Sequence, residues 1–294
     1  MDSSFSLEAW QGLGGMHRFD GHAVFAARRG AQGAPPLVLI HGFPTASWDW
    51  HKLWLALVGR FDCLAPDLLG FGFSAKPCWR QYSILEQADL VESLADAAGF
   101  ERYQVLAHDY GDTVAQELLA RDAERAARGE ARRLKRVCLL NGGLFPEVHR
   151  PRPVQTLLAG PLGWLVVRLL TERAFRHSMR QIFGAQTPPS EAELATFWTL
   201  ARHNGGLRVY HRLIRYMAER RTHRDRWVGA LIDAAVPLRF INGAQDPVSG
   251  WHMAERYREL LPWADIRTLD CGHYPQLEAP QECLQAILEF LDAD

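Results

Sequence analysis

The chain lacks the features that mark a metal centre, a nucleotide site or a disulfide framework. Its five cysteines (Cys63, Cys78, Cys138, Cys271 and Cys283) are scattered, odd in number, and never spaced as Cys-x-x-Cys. That spacing argues against zinc and against a stapled fold. It leaves Cys63 and Cys138, both in strand-like runs, as expected buried thiols. The histidines show no ligand spacing and no glycine-rich loop follows the first buried strand, so neither metal nor cofactor is expected. There is no basic excess: a formal net charge of -1 over 294 residues excludes a nucleic-acid binder held by bulk electrostatics. Nor is there a long hydrophobic run. The most apolar stretch, 157–170, is too short to span a bilayer and contains Arg168, and it reads as a buried or partly exposed helix. Residues 1–10 hold no basic region followed by an apolar core, so no signal peptide is expected and a cytoplasmic, soluble protein is. Membrane association is not indicated, and nothing in the pattern speaks to oligomeric state.

What is present is a core. Hydrophobic residues make up 48% of the chain, enough for one large domain or a domain carrying an insertion. The stretch around which the rest is organised is Val105-Leu106-Ala107-His108-Asp109-Tyr110-Gly111-Asp112. An apolar strand runs there into a sharp turn, with a helix directly after it. Small residues two before and two after the apex, Ala107 and Gly111, let the backbones crowd together and push Asp109 outward.

Pro35-Pro36 introduces the apolar run Leu37-Val38-Leu39-Ile40, typical of a strand buried on both faces, which ends in His41-Gly42-Phe43-Pro44. Ahead of it, residues 16–28 alternate around Asp20-Gly21 as a hairpin or two early strands. Ser47 is placed to cap a helix running through Val58. A strand over 61–66 leads into a loop, 67–74, with glycines on both sides of Phe71. Helical periods follow over 84–98 and 112–127, with a buried strand over 137–141. From 146 to 236 strand patterns vanish and helical ones dominate. Strands resume at 237–243 and 266–269, with helices over 250–261 and 282–291. Such alternation implies an α/β fold, a mostly parallel sheet covered on both faces, with a helical insertion. The expected units are a core, 1–145 and 237–294, and a cap, 146–236.

In such sheets ligands sit at the carboxyl ends of the strands. His41, Asp109, Asp246 and His273 each fall just after an expected strand. A carboxylate, with an ordinary pKa of about 4, is ionised at neutral pH and attacks saturated carbon without first losing a proton. Asp109 would thereby become an alkyl ester. Asp246, hydrogen-bonded to one nitrogen of His273, would fix its tautomer and leave the other nitrogen as the base that activates water. The backbone N–H groups of Tyr110 and Phe43 are natural donors to the oxyanion of that second step. Suitable substrates are small, apolar or amphiphilic molecules with a strained ring or good leaving group on saturated carbon, epoxides or alkyl halides. Water is the other reactant. Serine esterase chemistry is disfavoured because no serine occupies the apex.

His41-Gly42-Phe43-Pro44, Asp67 to Ser74, His108-Asp109-Tyr110-Gly111, Asp246-Pro247 and Gly272-His273 together resemble the α/β-hydrolase superfamily, and within it the epoxide hydrolase and haloalkane dehalogenase branch. More narrowly, His108 to Leu119, Asn141 to Glu147, Arg226 to Leu231 and His273 to Glu278 are similar to the mesoderm-specific transcript protein group. The order nucleophile, acid, histidine (Asp109, Asp246, His273) is that of the superfamily. The resemblance implies an α/β-hydrolase fold, with about eight mostly parallel strands flanked by helices and an inserted helical cap. It implies an epoxide hydrolase-like enzyme whose cap tyrosines protonate the opening oxygen, Tyr216 first and Tyr210 second, with His41, Pro44, Trp48 and His108 around the substrate. The alternative, a haloalkane dehalogenase-like enzyme, uses indole donors where this chain has Phe43 and Tyr110. A member that binds a ligand without turnover is the third reading. His41 is expected to support the oxyanion loop. Asp112 is expected to cap the following helix or to burden Asp109 with a second charge. The run Arg212, Arg215, Arg220, Arg221, Arg224 and Arg226 reads as a solvated helix face, with contact to an anionic membrane or an acyl carboxylate as the alternative. Trp48, Trp50, Trp164 and Trp198 read as core or pocket wall.

Overall fold

The computed structural model describes residues 5–263 and 265–292; the remaining residues of the expected core, 1–4, 264 and 293–294, lie outside them. After α1 (Leu7–Gln11), β1 (Gly14–Phe19) and β2 (His22–Arg29) form an antiparallel hairpin. Asp20 and Gly21 both turn at positive φ, 45° and 77°, as a two-residue turn must to match the twist of its strands. Six further strands complete one sheet: β3 (Pro36–Ile40), β4 (Asp62–Pro66), β5 (Tyr103–His108), β6 (Leu134–Leu140), β7 (Leu238–Gly243) and β8 (Asp265–Leu269). The order is β1-β2-β4-β3-β5-β6-β7-β8, antiparallel as far as the β2–β4 pair and parallel from there on. Leu37 to Ile40 and Val105 to Ala107 are buried on both faces, which is why they read as unbroken apolar runs.

Helices cover both faces. α2 (Trp54–Val58) follows β3, and α3 (Ile84–Ala97) begins where the Ser83 hydroxyl accepts the Glu86 N–H at 3.1 Å. α4 (Tyr110–Ala127) leaves β5 without a linker residue other than Asp109. Between β6 and β7 the described elements are all helical: α5 (Pro153–Ala159), α6 (Gly163–Leu169), α7 (Glu172–Arg180), α8 (Glu191–Arg202), α9 (Tyr210–Leu213), α10 (Tyr216–Thr222) and α11 (Arg224–Ile232). α12 (Trp251–Leu260), α13 (Pro275–Glu278) and α14 (Pro280–Leu291) complete the chain. All five cysteines are free, and all but Cys78 are buried.

Two expectations change. The helix over Ser47 to Val58 is split into a 3₁₀ turn, Ser47–Trp50, and the short α2. Ser47 caps nothing: its hydroxyl accepts the Trp10 indole N–H at 3.1 Å, and its N–H donates to Asp67 Oδ1 at 2.8 Å. Asp67 also accepts the Phe73 N–H at 2.6 Å, so one buried carboxylate ties two loops together and holds the chain out of a continuous helix. The arginine run is not simply a solvated face. Arg226 pairs with buried Glu117 at 2.7 Å, which Arg121 meets from the other side at 2.8 Å, and this network binds α11 to α4. Arg224 pairs with Glu147, and Arg220 is buried.

The sheet order reverses between β3 and β5, the place where neighbouring loops part to leave a crevice. The β5–α4 turn sits on that crevice because Gly111 lets α4 pass over the end of β3. A Cβ at Gly111 would run into the carbonyl of Ile40. Gly111→Ala is expected to cost about 2 kcal/mol by overpacking against immobile backbone, read as a lowered urea midpoint at unchanged slope.

Candidate active site

Asp109 is held at φ 46° and ψ −100°, a conformation that costs a non-glycine residue about 1–3 kcal/mol and persists only where its surroundings enforce it. Its side chain is 4% exposed. Oδ2 accepts the N–H of Phe43 at 3.1 Å and stands 4.0 Å from Nε2 of His273. Tyr110 opens α4, so its N–H has no acceptor within the helix. Phe43 and Tyr110 therefore stand at the two positions expected of the oxyanion donors, and Phe43 already donates to the carboxylate.

His273 follows β8, and its Nδ1 donates to Asp246 Oδ2 at 2.7 Å. Asp246 is fully furnished. Oδ2 also accepts Asn141 Nδ2 at 3.0 Å and the Ser249 N–H at 3.1 Å, and Oδ1 accepts the Val248 N–H at 2.8 Å. Burial pushes the Asp246 carboxyl up, but the charge and hydrogen bond of His273 and the other donors outweigh it and hold it at about 2. Burial likewise pulls His273 down, and the charge and hydrogen bond of Asp246, with the charge of Asp109, raise it to about 9. The His273 loop is fastened to the helical insertion by Glu278, whose carboxylate accepts the N–H groups of Gly272 and Gly184, each at 2.7 Å, and of Tyr274 at 2.8 Å.

The insertion brings a cation to Asp109 that the sequence did not single out. Arg220 of α10 is 2% exposed. Its Nη2 donates to the Asp109 carbonyl at 3.0 Å and stands 3.6 Å from Oδ1, while Nε donates to Thr113 Oγ1 at 2.7 Å. The guanidinium carbon lies 4.5 Å from the centre of the Tyr216 ring. The two carboxylate oxygens of Asp109 are thus distinguished, Oδ2 toward Phe43 and His273, Oδ1 toward Arg220. His149 Nε2 is buried without a hydrogen-bond partner among the described residues, and the Arg220 guanidinium faces the Tyr216 hydroxyl. Burial and then the Arg220 charge lower His149 to about 3, so it is neutral at pH 7.

The two tyrosines differ. Tyr216 packs on Tyr110 with ring centres 4.8 Å apart, and its hydroxyl lies beside the Arg220 guanidinium, toward which its oxygen can only accept. Burial and then the Asp109 charge raise its pKa. Tyr210 donates its proton to the Pro44 carbonyl at 2.7 Å, which removes it as a ready acid. Of the four residues placed around the substrate, only Pro44 lines the apolar cleft that leads to His273 between Phe43, Tyr210, Leu158 and Met179. His41 lies beneath, its Nδ1 donating to the Gly42 carbonyl at 2.8 Å and its Nε2 accepting the Leu68 N–H at 3.0 Å. His108 donates from Nε2 to the His273 carbonyl at 2.8 Å, and burial, then the His273 charge, hold it near about 3. Trp48 stacks on His51 and donates to the Phe5 carbonyl, away from the cleft.

Asp112 neither caps α4 nor adds a second charge as a matter of course. Its Oδ1 accepts the Leu140 N–H at 3.3 Å. Burial, with the Asp109 charge, raises its pKa well above the ordinary carboxyl range, which favours its neutral form beside Asp109. Asn141 and Arg220 are the residues that sequence reasoning missed. Asn141 stands directly after β6, the same strand-end position that singled out the others; Arg220 had no such signal.

A family model described as alpha/beta hydrolase fold matches residues 35–280. The mesoderm-specific transcript protein of Mus musculus is 42% identical over 98% of this chain and 88% of its own length. LipZ of Mycobacterium tuberculosis, which carries a hydrolase name, is 39% identical over 90% of this chain and 91% of its own. Among solved structures, the epoxide hydrolase CorEH aligns with a TM-score of 0.76 at 20% identity, covering 95% of this chain and 98% of that one. At that identity the likeness is one of fold.

His273 is raised from its ordinary 6.5 to about 9 in the folded state. Its contribution to stability is complete below pH 6.5 and is lost as pH rises through about 9. Urea midpoints measured across that window should fall for the wild type and fall less for His273→Gln. Arg220→Met, which strands a buried carboxylate, should cost about 3 kcal/mol. Adding Asp109→Asn to it should recover part of that loss, as a double-mutant cycle would show.

Proposed function

Because the chain belongs to the alpha/beta hydrolase fold family, we propose that it is a hydrolase with an aspartate nucleophile, Asp109, acting through a covalent alkyl-enzyme ester in the manner of an epoxide hydrolase. The observation that carries this reading is the arrangement around one carboxylate. Asp109 projects from a strained turn, with Oδ2 on the Phe43 N–H at 3.1 Å and 4.0 Å from a histidine that Asp246 holds at 2.7 Å.

In the first step Oδ1, the oxygen not engaged by Phe43, attacks a ring carbon of the substrate, the C–O bond breaks, and the hydroxyl of Tyr216 supplies the proton to the opening oxygen, leaving a phenolate beside Arg220. Arg220 provides the countercharge beside the reacting carboxylate. The second step needs a base, and His273 at about 9 is protonated at neutral pH. Part of that elevation comes from the charge of Asp109, which ester formation abolishes. The pull on the imidazole proton therefore weakens as the intermediate forms. Once the imidazolium proton has passed to the Tyr216 phenolate left by the first step, neutral His273 takes a proton from water as its oxygen attacks the ester carbon, and the charge that develops on Oδ2 is met by the N–H groups of Phe43 and Tyr110. Collapse breaks the bond from the ester carbon to Oδ1, which leaves with the diol as His273 returns the proton to it, and the Asp109 carboxyl so re-formed ionises beside His273. The helical insertion acts as a cap over this site, and the apolar cleft admits an apolar or amphiphilic substrate.

A haloalkane dehalogenase-like reaction is the second reading, favoured by Arg220, whose buried guanidinium offers a departing halide a cation. Against it, neither Phe43 nor Tyr110 carries an indole N–H.

The deciding experiment is mass spectrometry of the Asp109 peptide from His273→Gln incubated with a panel of epoxides and alkyl halides. The expected result is a mass gain equal to the whole epoxide, absent in Asp109→Ala. Adducts from halides alone would transfer the assignment to the second reading, and none from any probe would reject the nucleophile. In steady state Tyr216→Phe should slow epoxide turnover roughly a hundredfold, with Tyr210→Phe close to wild type.

A further inference from the structure

Among the described residues, eleven large apolar side chains are exposed; six are spread along the rest of the chain and five fall within one short segment. Leu157, Leu162 and Leu169 are 61%, 59% and 71% exposed, and Trp164 and Leu165 join them. All lie on or between α5 and α6, whose opposite faces bury Leu158 and Val167. Helices apolar on all sides normally belong in a core, yet half of this surface faces water, and Trp164 is there in place of the core or pocket wall expected of it. No helix of the described residues is long and apolar enough to cross a membrane, so the segment does not span one.

Its charges point to the occupant. No acidic residue occurs between Glu147 and Glu172, while Arg150, Arg168 and Arg173 are exposed and none is drawn into an ion pair among the described residues. Arg168 lies over the Trp164 ring at 5.2 Å, an aromatic-and-arginine pairing suited to the boundary between lipid tails and headgroups. The apolar cleft is lined by Val154, Leu158 and Leu170 of this same segment. We infer that the outer face of α5 and α6 docks on an anionic lipid surface, with the leucines and Trp164 entering the boundary and the arginines on the headgroups. The cleft then opens toward lipid, and an amphiphilic substrate enters without crossing water. The substrate route rests on the reaction proposed above; the docking does not.

Flotation tests it. Purified full-length protein should rise with phosphatidylcholine vesicles containing about 30 mole per cent phosphatidylserine, and about tenfold less with phosphatidylcholine alone. The Leu162→Asp/Leu169→Asp variant should lose flotation on both, melt like wild type, and still form the Asp109 adduct with a water-soluble epoxide once His273→Gln is added. Arg168→Glu/Arg173→Glu should abolish the preference for the anionic vesicles. Wild type that stays at the bottom with both vesicles, or a leucine variant that floats like wild type, would overturn the inference. So would a dimer in sedimentation that the leucine substitutions dissociate, since a second copy would then be the occupant. Loss of the adduct with flotation intact would count against the nucleophile alone.

Discussion

A carboxylate almost wholly withdrawn from water has to be met by other charges and by oriented dipoles, or the fold that withdraws it does not form. Asp109 is in that position, and much of the molecule answers to it. The N-terminus of the eighteen-residue helix α4 begins at the next residue and presents the positive end of its dipole. The loop after β3 supplies the Phe43 N–H, β8 ends in His273, and α10 reaches back from the insertion with Arg220. The backbone strain at the turn is held by contacts from both sides, with Gly111 against Ile40 and the Asp109 N–H on the Leu140 carbonyl at 3.0 Å. Sheet order, helix placement and the insertion are coupled through one side chain.

The aspartates around it show how little residue type says about state. Asp246 is wrapped in donors and faces an imidazolium, and it is held near about 2. Asp112, three residues from Asp109, is equally buried but has few donors and a like charge beside it, and it is pushed well upward. Asp49, buried with the Thr45 hydroxyl as its side-chain donor at 2.5 Å, moves the same way, chiefly by burial. The number of donors and the sign of the nearest charge separate the three outcomes, and both are properties of the folded environment.

This is also the boundary of what the sequence made legible. Strands were readable where burial on both faces produces an unbroken apolar run, as over Leu37 to Ile40 in β3, Val105 to Ala107 in β5 and Val137 to Leu140 in β6. Residues directly after such runs converge because parallel strands present their carboxyl ends to one side, which is how Asp109, Asp246 and His273 could be named together. What failed depended on contacts between distant segments. Ser47 looked like a cap until Asp67, twenty residues on, claimed its N–H. Tyr210 stood second to Tyr216 as an acid, and only the fold shows its hydroxyl donating a hydrogen bond to the Pro44 carbonyl. Arg220 sat in a run of arginines with no periodic mark of its own, and only the return of α10 over the β5–α4 turn distinguishes it from its neighbours.

The shifted buried carboxyls carry a consequence for the molecule as a whole. Counting residues gives a net charge of -1 and an isoelectric point near 6.9. That count charges Asp112 and Asp49, whose pKa burial raises, and leaves neutral His273, which the charge and hydrogen bond of Asp246 raise to about 9. These three shifts move the folded charge in the positive direction, while burial lowers His41, His108 and His149 and moves it the other way. The isoelectric point of the folded protein is therefore set by the packing of a few side chains and not by composition alone.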